Sequence, residues 1–363
     1  MINGIGKILR NLFLNYGGWT GSIIENGKID YYNNNTKKAI MIKFLRYSTV
    51  LLAILLAGCH GTPDKDGKKT NGDNTSDTIN REVPEFSITG KHAEDDSTLL
   101  RIAFIGDGEP KPLPEFPGME AAVEHINRLA QTEPVDFVIG VGDIAHKGTE
   151  IQYEAATEVL QKLEPPFYPI MGNEEHGSTL ERYLQYAQQW NDKITNQSYV
   201  INHDKLAFVF ASPDHGRDFD DSGARWVLEQ LQRLAPKPVV LVVHGAQQGV
   251  YPENPDKGIS NQLFIDKVIS QDNLAVVISG DLHMDMDRVN HSKKIDHVHY
   301  LHIPALERTK IPDETNHSPM FRIMTISRNG KISIDTYAVG NPVPLERHAY
   351  SFTLTLPDIN DAN

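Results

Sequence analysis

The chain has 363 residues, 39% of them hydrophobic, a formal net charge of -13 and a single cysteine. This is enough apolar material for one large domain or two small ones, and one cysteine excludes an intramolecular disulfide. The acidic balance argues against a nucleic-acid scaffold, so no sequence-specific nucleic-acid binding is expected.

Residues 1–40 show no clear pattern and include the string Asn33-Asn34-Asn35. They read as upstream sequence, with the true start at Met41. From Met41 to Arg46 the chain is short and basic, from Tyr47 to Ala57 it is apolar, and Leu56-Ala57-Gly58-Cys59 follows. The apolar run is about half the roughly 20 residues needed to span a bilayer. Residues 41–58 therefore read as a signal peptide rather than a membrane-spanning anchor. The string resembles a bacterial lipoprotein lipobox. That implies lipidation of Cys59, which becomes the new N-terminus, and a lipid-anchored, extracytoplasmic protein. His60 after Cys59, where an aspartate is lacking, implies the outer membrane in a cell with two membranes. The acidic body is a poor match for anionic lipid, so the acyl chains carry the membrane attachment.

His60 to Thr78 holds no apolar residue other than proline and glycine. It cannot bury enough surface to offset its ordering entropy, and residues 59–97 are expected to be a flexible tether. The folded body is expected over 98–355, with a tail at 356–363. Leu100 to Ile105 reads as a buried strand. Met119, Val123, Ile126 and Leu129 share a helical face. Val135 to Val141 is the next strand, Tyr153 to Leu163 a helix, Phe167 to Met171 a short strand, and Thr179 to Trp190 a helix. Ser198 to Ile201 and Leu206 to Ala211 are paired strands around the polar turn Asn202-His203-Asp204. Ala224 to Leu234 is an amphipathic helix. Val239 to Val243 and Leu274 to Ile278 are β-branched buried strands. After them the chain is strand-rich: His299 to Ile303, then Phe321 to Ile326 and Ile332 to Ala338 about Asn329-Gly330, a hairpin signal. This order predicts an α/β fold, a two-sheet β-sandwich flanked by helices.

Five strings follow apolar strands: Asp107-Gly108-Glu109, Gly142-Asp143, Gly172-Asn173-Glu174-Glu175, His244-Gly245 and Gly280-Asp281-Leu282-His283. In open α/β sheets ligands bind beyond the carboxyl ends of strands. Each string carries a side chain able to bind a hard or borderline metal ion. A lone Gly-Asp is often only a turn, and a lone histidine often a satisfied core residue. Five such strings in order predict one metal site assembled from five strand ends, and metal-assisted hydrolysis.

The order resembles the calcineurin-like metallophosphoesterase family, whose pattern runs Asp-x-His, Gly-Asp, Gly-Asn-His-Asp/Glu, His, Gly-His-x-His. The resemblance covers roughly residues 100–290. It implies a phosphoesterase acting on a phosphate mono- or diester, with two divalent metal ions activating a bridging water. Asp107, Glu109, Asp143 and His283 would hold the first ion. Asp143, Asn173, His244 and Asp281 would hold the second. Asp143 would bridge, because a carboxylate offers two oxygens.

Three family histidines are replaced here by Glu109, Glu174 and Asp281. The harder, more anionic ligand set shifts the expected metal from zinc toward manganese, magnesium or iron. Asp281 has less reach than a histidine. His146 is a further candidate ligand or outer-shell group. Glu174 would donate a proton only with a raised pKa, and His176 is its candidate substitute. The alternative reading is a degenerate member that binds a phosphorylated ligand with little or no turnover. His297, His299 and His302 read as strand histidines, and Asp285 and Asp287 as solvated loop. Loops 109–118, 212–223 and 245–262 are expected to shape the pocket mouth.

Overall fold

The computed structural model describes residues 83–357, apart from 112, 285, 287–289 and 308–316, together with two short strands near the start. The chain divides into two compact units, 1–78 and 79–363. In the first, β1 (Ile24–Glu25) pairs antiparallel with β2 (Lys28–Ile29). The signal peptide, Cys59 and the first part of the expected tether lie outside the described residues. So do Asp285 and Asp287. Among the described residues, no helix is long and apolar enough to cross a membrane.

The second unit is built on two sheets. The first contains β3 (Glu85–Ser87), β7 (Tyr199–Asn202), β8 (Ala207–Ala211), β9 (Val239–Val243), β10 (Leu274–Ser279), β11 (Ser292–Ile295) and β12 (Val298–His302), in the order β11-β12-β10-β9-β8-β7-β3. The second contains β4 (Thr98–Ile105), β5 (Phe137–Gly140), β6 (Phe167–Pro169), β13 (Met320–Ser327), β14 (Lys331–Ala338) and β15 (Tyr350–Thr353), in the order β15-β14-β13-β4-β5-β6. Strands β8, β9, β10 and β12 run parallel, as do β4, β5 and β6. The antiparallel hairpins lie toward the sheet margins.

Burial on both faces explains why the central strands read as unbroken apolar runs. Along β9, Val240 and Val242 enter the core between the sheets, while Val239, Leu241 and Val243 face the outer layer. Along β4, Leu100, Ile102 and Phe104 point into the sandwich, and Ala103 and Ile105 lie in the opposite cluster. Among the described residues, four α-helices supply the outer layers: α1 (Pro117–Thr132), α2 (Glu150–Leu160), α3 (Leu180–Trp190) and α4 (Asp221–Leu234). Helix α1 contributes Met119, Ala122, Val123 and Ile126 to the cluster outside β4 and β5. Helix α4 contributes Ala224, Val227, Leu231 and Leu234 outside β8 and β9. Its start is set by Asp220, whose carboxylate accepts from the N–H groups of Ser222 and Gly223, two donors that the helix itself cannot satisfy.

The end of the expected tether is corrected by the structure. Residues 83–97 belong to the domain: β3 pairs with β7, and the Ile88 N–H donates to the Asn202 carbonyl at 3.0 Å. Phe86 packs on Tyr199 and Tyr168, with ring centroids 5.7 and 6.4 Å away. The Lys91 N–H donates to Asp136 Oδ1 at 2.6 Å, and His92 lies 3.3 Å from Asp136 Oδ2. A three-residue edge strand with two polar residues has too little pattern to be read beside a solvating segment. At the other end, β15 pairs with β14, Leu354 and Leu356 pack on the core, and the Pro357 carbonyl accepts from Lys205 Nζ. The domain thus runs past residue 355. The edge strand β11, with Lys293 and Lys294, also escapes the apolar pattern; lysine on an edge blunts strand addition. His299 and His302 are packed strand residues: His299 stacks on Phe352 at 3.7 Å between centroids and His302 hydrogen-bonds His291 at 2.8 Å, whereas His297, expected in the strand, stands exposed in the turn between β11 and β12 and hydrogen-bonds the Gln271 carbonyl at 3.0 Å.

The carboxyl ends of β4, β5 and β6 in one sheet, and of β9 and β10 in the other, lead into the loops that carry the five strings. Cross-links between the sheets bring these ends together. The Leu306 N–H donates to the Gly106 carbonyl at 3.2 Å, and the Asp281 N–H to Asp107 Oδ1 at 3.0 Å.

Candidate metal centre

Seven side chains predicted as metal ligands converge where the two sheet ends meet. Asp107, Glu109, Asp143, His244, Asp281 and His283 are all buried. Two triads have ligand atoms within 4.8 Å of one another: Asp107, Asp143 and His283, and Asp143, His244 and Asp281. Asp143 is common to both. Its Oδ1 lies 3.4 Å from His244 Nε2, and its Oδ2 lies 3.7 Å from His283 Nε2. The two carboxylate oxygens thus face two different groups, as a bridging ligand requires. Asn173 Oδ1 is 3.4 Å from His244 Nε2, and Glu109 Oε1 is 3.8 Å from His283 Nε2. Asp281 Oδ1 comes within 3.8 Å of His244 Nε2 despite its short arm.

The donor set fits divalent ions. Nitrogen and oxygen ligands at about 2.0–2.2 Å from one ion sit roughly 3–3.5 Å from each other. The separations of 3.4–3.8 Å within the two groups come close to that spacing. Among the described residues, none donates a hydrogen bond to the buried Asp143 Oδ2, an arrangement that is costly unless a cation completes it.

The loops that present these groups are strained and tightly tied. Asp107, Asp143, Asp281 and His283 have φ of 40°, 50°, 71° and 48°, a left-handed conformation uncommon outside glycine and concentrated at functional sites. Gly142 has φ of 92°, and a Cβ there would lie 2.7 Å from the Gly172 nitrogen and 2.8 Å from His244 Nδ1. Only glycine lets these loops pass so closely. Glu175 ties them together. Its Oε1 accepts from the N–H groups of Ile144 and Ala145, both at 2.8 Å, and its Oε2 accepts from Asp143 at 3.0 Å and Gly172 at 2.7 Å. His244 is oriented in the same manner: its Nδ1–H donates to the Val141 carbonyl at 2.8 Å, which turns Nε2 toward the ligands.

Charge in the centre is heavily unbalanced before any ion is considered. Burial alone would lower the His244 imidazole, but the carboxylates of Asp143, Asp281 and Asp107 raise it to about 10. Burial would raise Asp143, yet His244 and His283 hold its carboxyl well below the usual carboxylate range. Burial, and then the charge of Asp143, raise Glu175 to about 7, against the pull of the Ala145 and Gly172 N–H groups. The four N–H donors match a carboxylate, which accepts at both oxygens; protonation would set an O–H against an N–H.

Three functional residues were not found in the sequence as such: Glu175, Lys111 and Arg217. The two cations sit on the carboxylates that replace the family histidines. Lys111 Nζ is 3.2 Å from Glu109 Oε1 and 2.9 Å from Glu174 Oε1. Arg217 donates from Nε to Asp281 Oδ2 at 2.7 Å. Its Nη2 donates to Asp281 Oδ1 at 3.1 Å and to Asn173 Oδ1 at 2.6 Å. Both cations come from loops expected at the pocket mouth, 109–118 and 212–223. Composition alone gave no sign of which loop residue would reach inward.

The predicted proton donors are placed differently from expectation. Glu174 Oε2 lies 2.7 Å from His146 Nδ1 and accepts the Lys147 N–H at 2.9 Å. Burial would raise its carboxyl, but the bonds from Lys111 and Lys147 lower it overall. Glu174 is therefore held as an acceptor, against the raised pKa that proton donation required. His146 groups with Glu109 and Glu174, beside the two shared triads and not within them. His176 is committed to the Pro213 carbonyl at 3.1 Å through Nε2.

Residues 100–285 match the family described as Calcineurin-like phosphoesterase. A probable glycerophosphodiester phosphodiesterase GpdQ of Arcobacter nitrofigilis is 30% identical over 124 residues, covering 33% of this chain and 44% of that protein. The glycerophosphodiester phosphodiesterase GpdQ of Enterobacter lignolyticus is 28% identical over 132 residues, covering 35% of this chain and 47% of its own. The chain thus spans about half the length of these curated relatives. Among solved structures, a dimetal phosphatase from Danio rerio matches with a TM-score of 0.51 at 13% identity, covering 71% of this chain and all of that one. At that identity the likeness concerns the fold.

Two outcomes follow from this geometry. Glu175→Gln replaces an acceptor oxygen with an amide that faces two N–H groups, and should cost roughly 2–4 kcal/mol. Chemical denaturation checks this, and unchanged stability would remove Glu175 as the tie. Second, an ion must displace the His244 proton, so metal affinity should fall about tenfold per pH unit as pH drops below the raised pKa. Calorimetric manganese titrations from pH 8 to 6 read this slope; a flat profile would show that His244 carries no proton for the ion to displace.

Proposed function

The chain belongs to the calcineurin-like phosphoesterase family, and from that premise we propose that it is a metal-dependent phosphoesterase acting on a phosphodiester. The observation that carries this reading is Asp143, shared by two triads with one oxygen toward each histidine. Asp107, Glu109, Asp143 and His283 would hold one divalent ion, and Asp143, Asn173, His244 and Asp281 the other. Their hardness favours manganese, magnesium or iron over zinc. When bound, the ions supply an activated water and electrostatic stabilisation of the phosphoryl group.

The residues of this chain do the rest. His244, anchored through Nδ1 on Val141, keeps Nε2 aimed at the centre. Glu175 keeps the Asp143 and Asn173 loops in register. Glu174, paired with Lys111, orients His146 through Nδ1. The relatives in the comparison carry phosphodiesterase names, and that supports a diester.

We also propose, from the string ending at Cys59, that the mature protein is anchored by lipid on that cysteine to a bacterial membrane, outside the cytoplasm, and to the outer membrane where two exist. Metabolic labelling with a radioactive fatty acid should mark the wild type and not Cys59→Ala; equal labelling would refute the anchor.

For the hydrolase itself, the manganese-loaded protein should release p-nitrophenol from bis(p-nitrophenyl) phosphate faster than from p-nitrophenyl phosphate. Asp143→Asn should lower kcat by about 10³-fold or more, since loss of the bridge removes the shared ligand. Turnover unaffected by Asp143→Asn would sink the mechanism. Tight phosphate binding without turnover would favour the degenerate binding protein.

A further inference from the structure

Arg217 stands out because it grips two groups that would also serve the second ion. It lies in the loop between β8 and α4, and its hydrogen bonds to Asp281 and Asn173 use Nε–H and Nη2. Its Nη1 makes none among the described bonds. The side chain is 32% exposed, whereas the Asp281 carboxylate is fully closed to solvent. One edge of the guanidinium is therefore held at the centre while part of the side chain stays reachable from outside.

A guanidinium held at two points keeps its plane, and its remaining N–H groups keep a fixed direction. It stays charged at every accessible pH, so its action needs no titration. Asp281 also holds this plane against both of its oxygens, at 2.7 and 3.1 Å. A carboxylate can fix an arginine fork in this way, and an imidazole, with one free nitrogen, cannot. The exchange of a family histidine for Asp281 thus has a physical consequence beyond hardness: it creates an anchor for a cation.

Resting on the reading of a two-ion phosphoesterase centre, we propose that Arg217 is the phosphate-binding residue of this site. Asp281 and Asn173 fix its guanidinium beside the second-ion position, and its Nη1 N–H groups donate to a non-bridging oxygen of the bound phosphoester. Lys111, by contrast, is committed to Glu109 and Glu174 on the first-ion side. Arg217 is partly exposed and belongs to none of the apolar clusters, so its replacement opens no cavity in the core.

The test uses the full manganese-loaded protein and inorganic phosphate as the probe. Isothermal titration reads phosphate affinity, and plasma mass spectrometry reads bound metal in the same samples. Arg217→Ala should weaken phosphate by about tenfold or more, the loss of one charge-assisted pair, with metal content unchanged. Arg217→Lys should fall between, because it keeps the charge and loses the fork. The KM for bis(p-nitrophenyl) phosphate should rise more than kcat falls. A smaller loss in Arg217→Ala overturns the assignment, and so does a loss that follows a loss of metal, which would make Arg217 a support for the ion ligands. A wild type that binds no phosphate overturns it as well. If the wild type binds phosphate through Arg217 yet cleaves no ester, the assignment stands and the hydrolase reading fails. If the wild type cleaves ester and Arg217→Ala binds phosphate normally, only the assignment fails.

Discussion

Glu175 accepts four backbone N–H groups from two loops that leave different strands of one sheet, and the placement of the ligands depends on this junction. The β5 loop delivers Asp143 and the β6 loop delivers Asn173. Neither loop is part of a sheet ladder where these residues stand, so their backbone donors need partners from elsewhere. One carboxylate supplies four of them, and Asp143 Oδ1 accepts the Glu174 N–H at 2.9 Å. With the loops joined, Gly142 and Gly172 can pass at contact distance, and Asp143 adopts its left-handed conformation. The other sheet then closes on this frame through His244, whose Nδ1–H reaches the Val141 carbonyl across the sandwich. The strain at Asp107, Asp143, Asp281 and His283 is tolerated because hydrogen bonds from neighbouring loops over-determine the geometry.

The second organising force is charge. Replacing neutral imidazoles with carboxylates would leave a buried, strongly negative cavity. The structure meets each replacement with a cation: Lys111 between Glu109 and Glu174, and Arg217 on Asp281. Desolvated carboxylates are costly unless paired, so substitution and pairing belong together. The same pairing changes what Glu174 can do. Held by Lys111, the Lys147 N–H and His146, it remains an acceptor, and the task of orienting His146 falls to it.

Much of the fold was legible from pattern. Strand β9 occurs where five consecutive Val and Leu residues predict it. The helices carried by Met119 and Trp226 fall where helical spacing predicts them; the first starts two residues before Met119 and the second three before Ala224. The turn between β7 and β8 follows from Asn202-His203-Asp204. Elements that pack by only a few residues were not legible. Phe86 and Ile88 hold β3 in place, and Tyr350 and Phe352 hold β15, but segments so short carry too few alternations to stand out from polar chain.

The metal ligands were legible for a related reason. Each follows a buried strand, and parallel strands of one sheet end at the same edge, so the sequence groups Asp107, Asp143 and Asn173 at one sheet edge and His244, Asp281 and His283 at another; the packing of the two sheets joins them. Lys111, Arg217 and Glu175 obey no such rule. Their positions are decided by where long side chains reach across loops separated by tens of residues: Arg217 meets Asp281 over 64 positions and Glu175 meets Asp143 over 32. Local spacing governs strand and helix, because backbone hydrogen bonding is local or follows the apolar face. Pairing of buried charge is settled only in three dimensions, where the partner that can relieve desolvation is whichever group the folded loops bring near.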